Sequence, residues 1–382
     1  MTTFTEMYAS VAGAGAHDGT SAANAWTMAE ATAGVSASDR VNCLAGTYIA
    51  NDTTSEVIDL DVAGGFGTWI EWRAYTTTIG DFSVGDAQPV VIDANTNSLV
   101  NPMNTQTVTG AFNRFIGFQF TGGSGHGVDG SSSTDHISFL GCKFDNNDQR
   151  AVIGDDSHTY ISCEFTLNTV GAFDIDSNSV VVGCVFHNNG VSTACNNHLS
   201  SPVYIDCLWF NNGNGTLIRF TAGGSVTVGC AWDGEGGASA TAINSSGSQT
   251  IPQCMVNNII YDQNLGINFS NAGIDEIEGR TANLWSSNTT NIDNIADAEM
   301  AGIGDIDDTT DTDPFLGSGA TPRDYRIDTT GLANEAGVDV WAVTNNSSDL
   351  ETATQGIDIG PIQYPAGGGG TVFITRPRIL PI

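Results

Sequence analysis

Six cysteines recur at a nearly constant interval. Cys142, Cys163, Cys184, Cys207, Cys230 and Cys254 are separated by 21, 21, 23, 23 and 24 residues. A unit this short cannot bury a hydrophobic face alone, so copies must stack into a solenoid with one continuous core. The surrounding text repeats with the cysteines: Phe139-Leu-Gly-Cys-Lys-Phe144, Tyr160-Ile-Ser-Cys-Glu-Phe165, Val182-Gly-Cys-Val-Phe186, Ile205-Asp-Cys-Leu-Trp209 and Val228-Gly-Cys-Ala-Trp232. Positions i and i+2 of a strand share a face. The cysteines are therefore expected as one inward column, with Phe144, Phe165, Phe186, Trp209 and Trp232 as the next. Phe118 and Phe120 extend the pattern backward. A polar turn follows each aromatic, carrying Asn146-Asn147, Asn168, Asn188-Asn189 and Asn211-Asn212. Asparagine tolerates left-handed backbone angles, and stacked copies can form amide ladders.

Segments between the strands show no helical periodicity, no leucine-rich signature and no hexapeptide period. The expected fold class is all-β, a right-handed parallel β-helix of short strands with a small N-terminal capping helix. Adjacent rungs lie about 4.8 Å apart. Stacked cysteines point the same way, which suits packed thiols better than disulfide geometry. Zinc is not expected, since no C-x2-C pair or Cys/His cluster exists. Acidic residues number 43 against 11 basic ones, a net charge of −32. Such a surface repels nucleic acid and anionic membranes and suits a saline setting. No apolar run is long enough to span a bilayer, and the opening Met1–Tyr8 has no basic stretch before an apolar one, so neither membrane insertion nor Sec export is expected.

Four regions are expected: an N-terminal cap and first rung over 1–50, the β-helix over 51–300, a closing segment over 301–364, and a glycine linker with a tail over 365–382. Thr27-Met-Ala-Glu30 reads as a capping box opening a helix from Thr27 to Gly34, and Asp39–Tyr48 as the first strand and turn. The stretch from Asp18-Gly-Thr-Ser21 through Asp39-Arg-Val-Asn-Cys-Leu-Ala-Gly-Thr-Tyr48 is similar to the opening of pectin-lyase-like β-helix proteins. Asp313-Pro-Phe-Leu316, Arg323–Ile327, Leu332–Gly337 and Asp358–Gln363 resemble the closing segment of that superfamily. The resemblance spans about residues 13–364. It implies the fold, and it allows activity on polysaccharides without specifying one.

The tail Thr371–Ile382 follows four glycines and holds Val372, Phe373, Ile374, Ile379, Leu380 and Ile382 with Arg376 and Arg378. Those apolar groups are costly in water, so the tail is expected to dock on a partner subunit, another copy (a trimer is plausible) or a different virion protein.

β-Helix enzymes of the resembled superfamily place carboxylates on an exposed strand face. Asp155 and Asp176 each stand eight residues before a repeat cysteine, and Asp135 and Asp156 seven before. Each pair is expected to stack about 5 Å apart, a separation suited to a retaining glycosidase or a calcium site. The competing reading is turn residues capping backbone amides. Glu164 and Asp174 lie nearby. Gly125-His-Gly127 resembles the G-H-G element of polygalacturonases, but Asp155-Asp156 follows it and the family's other segments are missing, so His126 reads as a turn residue. Arg150 and Arg219 are possible lyase bases. Asp305, Asp307, Asp308, Asp311 and Asp313 supply oxygen ligands that could suit calcium, without an EF-hand pattern; no other cofactor is expected.

Three functions follow. The preferred one is a non-catalytic virion component, a tailspike, fibre or decoration protein facing a host glycan. The second is a polysaccharide lyase or hydrolase acting outside the cell. The third is a glycan-binding adhesive module, which outward-facing aromatics would favour.

Overall fold

The computed structural model describes residues 3–49, 56–60, 62–83, 86–95, 101–105, 112–130, 136–154, 157–175, 178–190, 194–198, 202–213, 215–220, 225–234, 240–245, 254–269, 280–293, 305–308 and 313–315. The chain folds as two compact units, 1–198 and 199–382. In both, short strands are laid down in rotation onto three parallel sheets, as the sequence predicts for a parallel β-helix.

In the first unit a representative rung runs Ile137–Leu140 on the first sheet, Lys143–Asp145 on the second and Arg150–Gly154 on the third. The next runs Thr159–Ile161, Glu164–Thr166 and Gly171–Ile175. Register is fixed by the repeat: Phe139 lies opposite Tyr160, Phe144 opposite Phe165 and Val152 opposite Phe173. Left-handed residues turn the corners, Ser157 and Asn178 where the chain returns to the first sheet and two further sets elsewhere. One is Gly117, Gly141, Ser162 and Gly183, just before the column that holds Phe118 and the cysteines; the other is Asn146, Leu167 and Asn188.

The interior follows the cysteine pattern. Cys142, Cys163 and Cys184 are buried free thiols. Burial raises the pKa of Cys142 and Cys163 well above an ordinary thiol's. Each stays protonated and donates to backbone, Cys142 to Phe115 O at 3.5 Å and Cys163 to Phe139 O at 3.4 Å. Beside them Phe144, Phe165 and Phe186 stack at 4.8 Å per step. A second stack on the first sheet runs Trp72, Phe115, Phe139, Tyr160, with centroids 5.4–5.7 Å apart. Asn147, Asn168 and Asn189 form a buried amide ladder, with Nδ2 to Oδ1 distances of 2.8 and 3.0 Å.

At the N-terminus, Met28–Gly34 is helical with Thr27 as its cap and both arms of the capping box formed. Asp39–Leu44 is a strand, but it is not the first: Thr5–Ala9 pairs with it along its outer edge. The rungs before Phe118 are longer than the repeat, with Val41, Trp72 and Phe115 as successive partners.

In the second unit Cys207 and Cys230 are buried, and Trp209 stacks on Trp232 at 5.1 Å. Cys254 does not continue that column. It opens a first-sheet strand opposite Val226 and is only partly buried. The rung after Cys230 takes 28 residues, so Asn258 occupies the next position and its Oδ1 accepts from Cys230 N at 2.9 Å. Asn283 and Asp305 follow, linked by amide hydrogen bonds of 2.9 and 3.1 Å. Outside the second sheet, Leu208, Ala231, Ile259 and Leu284 form an apolar row covered by Phe315. Asp313-Pro-Phe315 thus lies against the solenoid wall.

Candidate functional site

In the first unit, strand alternation turns every second residue of the second sheet outward. Gln119, Lys143, Glu164 and Val185 form one outward row, and Thr121, Asp145, Thr166 and His187 the next. Lys143, the chain's one lysine, approaches Glu164 at 3.4 Å. His187 Nε2 meets the same carboxylate oxygen at 3.0 Å, while Asn188 Nδ2 lies 2.8 Å from Nδ1. With Asn188 donating to Nδ1, Nε2 carries the proton directed at Glu164. The hydrogen bond from His187, aided by the charge of Lys143, holds Glu164 below its usual pKa despite partial burial. Gln119 donates to Asp145 at 2.9 Å across the neighbouring rung. Chemically this is a carboxylate with an imidazole and an ammonium beside it, a set able to move a proton.

A second polar group lies on the third sheet of the same unit. Arg150 is almost fully buried; its Nη1 donates to Phe173 O at 2.6 Å and its Nε lies 3.3 Å from Asp174 Oδ2. Burial lowers its pKa, opposed by Asp174. Asn101 Nδ2 donates to Asp129 at 3.2 Å, and Asn101 Oδ1 accepts from His126 N at 2.7 Å. His126 is therefore a stitched turn residue, and burial lowers its pKa. Its flanking glycines are steric requirements. A Cβ at Gly125 would stand 2.4 Å from Asn101 Oδ1, and one at Gly127 2.6 Å from Ala151 O.

The stacked acids Asp135, Asp155, Asp156 and Asp176 lie outside the described residues. The strands leading into two of them are in register, Gly154 opposite Ile175. Glu164 is described and carries the contacts above. Arg219 sits in the second unit on Thr216–Phe220, opposite Asn244. Asp305, Asp307 and Asp308 do not converge as calcium ligands. Asp305 accepts from the amide of Asn283 at 3.1 Å, Asp307 accepts from Asn291 at 3.0 Å, and buried Asp308 accepts from Ser286 at 3.1 Å. Asp313 accepts from Phe315 N at 3.0 Å, and Asp311 lies outside the described residues. Among the described residues no three His, Cys, Asp or Glu side chains gather as a metal site, and no helix is long and apolar enough to cross a membrane. The tail residues Val372, Phe373, Ile374, Arg376, Arg378, Ile379 and Leu380 also lie outside the described residues.

Sequence reasoning missed His187 and Asn101 as members of these groups. The contact between Glu164 and Lys143 follows the 21-residue repeat, but His187 reaches Glu164 from 23 residues away, off the repeat by one alternate strand position.

No protein-family model matches the chain, and no curated protein matches it. Among solved structures it is similar to pectate lyase Pel9A, at 12% identity and a TM-score of 0.56, over 94% of this chain and 96% of that one. It also matches a pectin methylesterase from Aspergillus niger at 12% identity and a TM-score of 0.40, over 78% and 89% of the two chains. ORF18 of Geobacillus virus E2 matches at 17% identity and a TM-score of 0.38, over 69% and 56%. At this identity the likeness to Pel9A shows the fold: the chain is a pectate-lyase-like parallel β-helix.

Proposed function

We propose that the protein is a non-catalytic structural β-helix, a receptor-facing component of a virion. One observation carries the non-catalytic part. The charged groups of the two polar sets join neighbouring rungs: Lys143 and His187 to Glu164, Arg150 to Asp174 and to the Phe173 carbonyl. A side chain held by partners on the next rung acts as a staple, and staples suit stacked rungs that must resist unwinding. Stacked, protonated thiols suit a chain that folds in a reducing compartment, as cytoplasmic particle assembly requires. The tail from Thr371 to Ile382 is the proposed anchor to a partner subunit, since its composition suits strand addition at a neighbour's sheet edge and its arginines suit an acidic surface. The test is recovery from producing cells. The intact chain is expected in the particle fraction. A variant lacking residues 367–382 is expected to remain folded with an unchanged melting midpoint and to be absent from particles. Wild-type occupancy by the truncated chain would contradict the anchor, and an intact chain found only as a free species would contradict the virion reading.

A second reading is favoured by one contact. The 3.0 Å approach of His187 to Glu164 would serve an acid–base step in a polysaccharide lyase or hydrolase. Loss of turnover in Glu164→Gln, with folding unchanged, is its signature.

A further inference from the structure

Most large aromatic side chains of the first unit are interior, but one set lies outside. Trp69, Phe112 and His136 each stand one residue before strands that pair in register, Ile70 opposite Asn113 and Asn113 opposite Ile137. They form an aromatic row along the helix axis at the rung spacing of about 4.8 Å. Phe112 contacts Trp69 at 5.5 Å and His136 at 4.9 Å between ring centroids. Phe66 stands over the row, 6.5 Å from Phe112 and 95% exposed.

Phe66 is held out by a tight turn. Gly65 and Thr68 exchange backbone hydrogen bonds of 3.2 and 2.9 Å, and Gly67 takes a φ of 84°. A Cβ on Gly64 would stand 2.5 Å from Phe112 O, so this glycine lets the turn lie against the row. An exposed phenylalanine gains nothing for folding, and here the backbone is shaped to present it. Arg114 stacks over Trp69 at 5.3 Å. Its guanidinium belongs to a network around the buried carboxylate of Glu71, which Arg40 and Arg73 reach at 2.6 and 2.8 Å, and Arg40 also meets Glu6 at 2.9 Å. Charge beside the row is therefore nearly balanced, while the chain as a whole carries −32.

We infer that this row is a binding platform for a neutral polysaccharide chain lying along the helix axis. The C–H faces of sugar rings pack on aromatic faces, and rings repeated at rung spacing offer successive contacts to one extended chain. The net charge of the molecule disfavours a polyanionic glycan. A single protruding phenylalanine over a short aromatic row is a small surface for a second protein. The inference deepens the receptor-facing reading and rests on it for the class of partner. It does not depend on the absence of catalysis.

The test is isothermal titration of the full chain with cellohexaose, maltohexaose and chitohexaose, with hexagalacturonate as the charged control. At least one neutral hexamer is expected to bind. Phe66→Ala and Phe112→Ala are each expected to weaken it by about tenfold. Phe66→Ala is expected to leave the melting midpoint unchanged, because its side chain is exposed. Binding by none of the neutral hexamers, equal binding of hexagalacturonate, or full affinity in Phe66→Ala would overturn the platform. So would a concentration-dependent dimer that Phe66→Ala abolishes. Products appearing in the same mixtures would refute the non-catalytic reading and leave the platform standing, so the two failures are distinguishable.

Discussion

Asp206 occupies a corner where glycine stands at Gly229, and its φ of 53° is one that aspartate and asparagine tolerate. Desolvation pushes its carboxyl up to about 7 from 3.8. Below pH 4 the group is protonated in both folded and unfolded chains and costs nothing. Between about pH 4 and 7 only the unfolded chain ionises, so stability falls as pH rises, and above 7 the cost is constant. Asp206→Asn keeps the backbone preference and removes the charge. After allowance for solvent screening it is expected to stabilise by about 1–2 kcal/mol at pH 8 and by nothing at pH 4. Urea unfolding at the two pH values checks this; an equal effect at both would contradict it. Trp209, fully buried against Trp232, is a packing residue in the same unit. Trp209→Ala is expected to cost about 3–5 kcal/mol through the cavity it leaves, read as a lower urea midpoint.

Within a rung, the corners and the columns do different work. A left-handed residue turns the chain, and the side chain after it locks the turn to the next rung. Asn168 shows the second role: its amide donates to Asn189 Oδ1, to Phe144 O at 3.1 Å and to Thr166 O at 3.1 Å, and its oxygen accepts from Asn147. Asn168→Ala leaves several of these buried groups unpaired and is expected to cost about 2–4 kcal/mol in urea unfolding. A loss below about 0.5 kcal/mol would mean the ladder is decoration. The aromatic column, the capping box and the amide ladder were legible in the sequence because each is a repeated or locally encoded pattern. Cys254 misled because residue type stood in for position. Asn258 fills the rung position in place of a thiol, since either can bond to a neighbouring rung's backbone. The outer groups were half legible. Lys143 and Glu164 share one position of the repeat, although their contact shows only once the strands are paired; Arg150 opens its strand opposite Gly171 and reaches along the sheet to Asp174, and a contact off the register leaves no periodic trace. The aromatic row outside the first sheet was hidden for a related reason. Trp69 precedes a rung longer than the repeat, with Ile70 opposite Asn113, so its registry with Phe112 shows only once the strands are paired.

At the scale of the molecule, length accumulates by rungs, and the −32 charge is spread over a surface with few cations. Self-repulsion of that size is screened by salt. Raising sodium chloride from about 10 mM to about 500 mM is expected to raise the melting midpoint by a few degrees. A midpoint that falls would show that the staples between Glu164, Lys143 and His187 matter more than the global repulsion. The same staples bear on function, because a group that ties rungs together is a poor candidate for chemistry on a passing glycan. The most direct measurement is turnover. The full chain is incubated with a panel of neutral and acidic polysaccharides, and new reducing ends and unsaturated products are read against a blank. No product above the blank is predicted for any substrate. Product that forms with the wild type and vanishes in Glu164→Gln or Arg150→Lys, both still folded, would contradict the non-catalytic account.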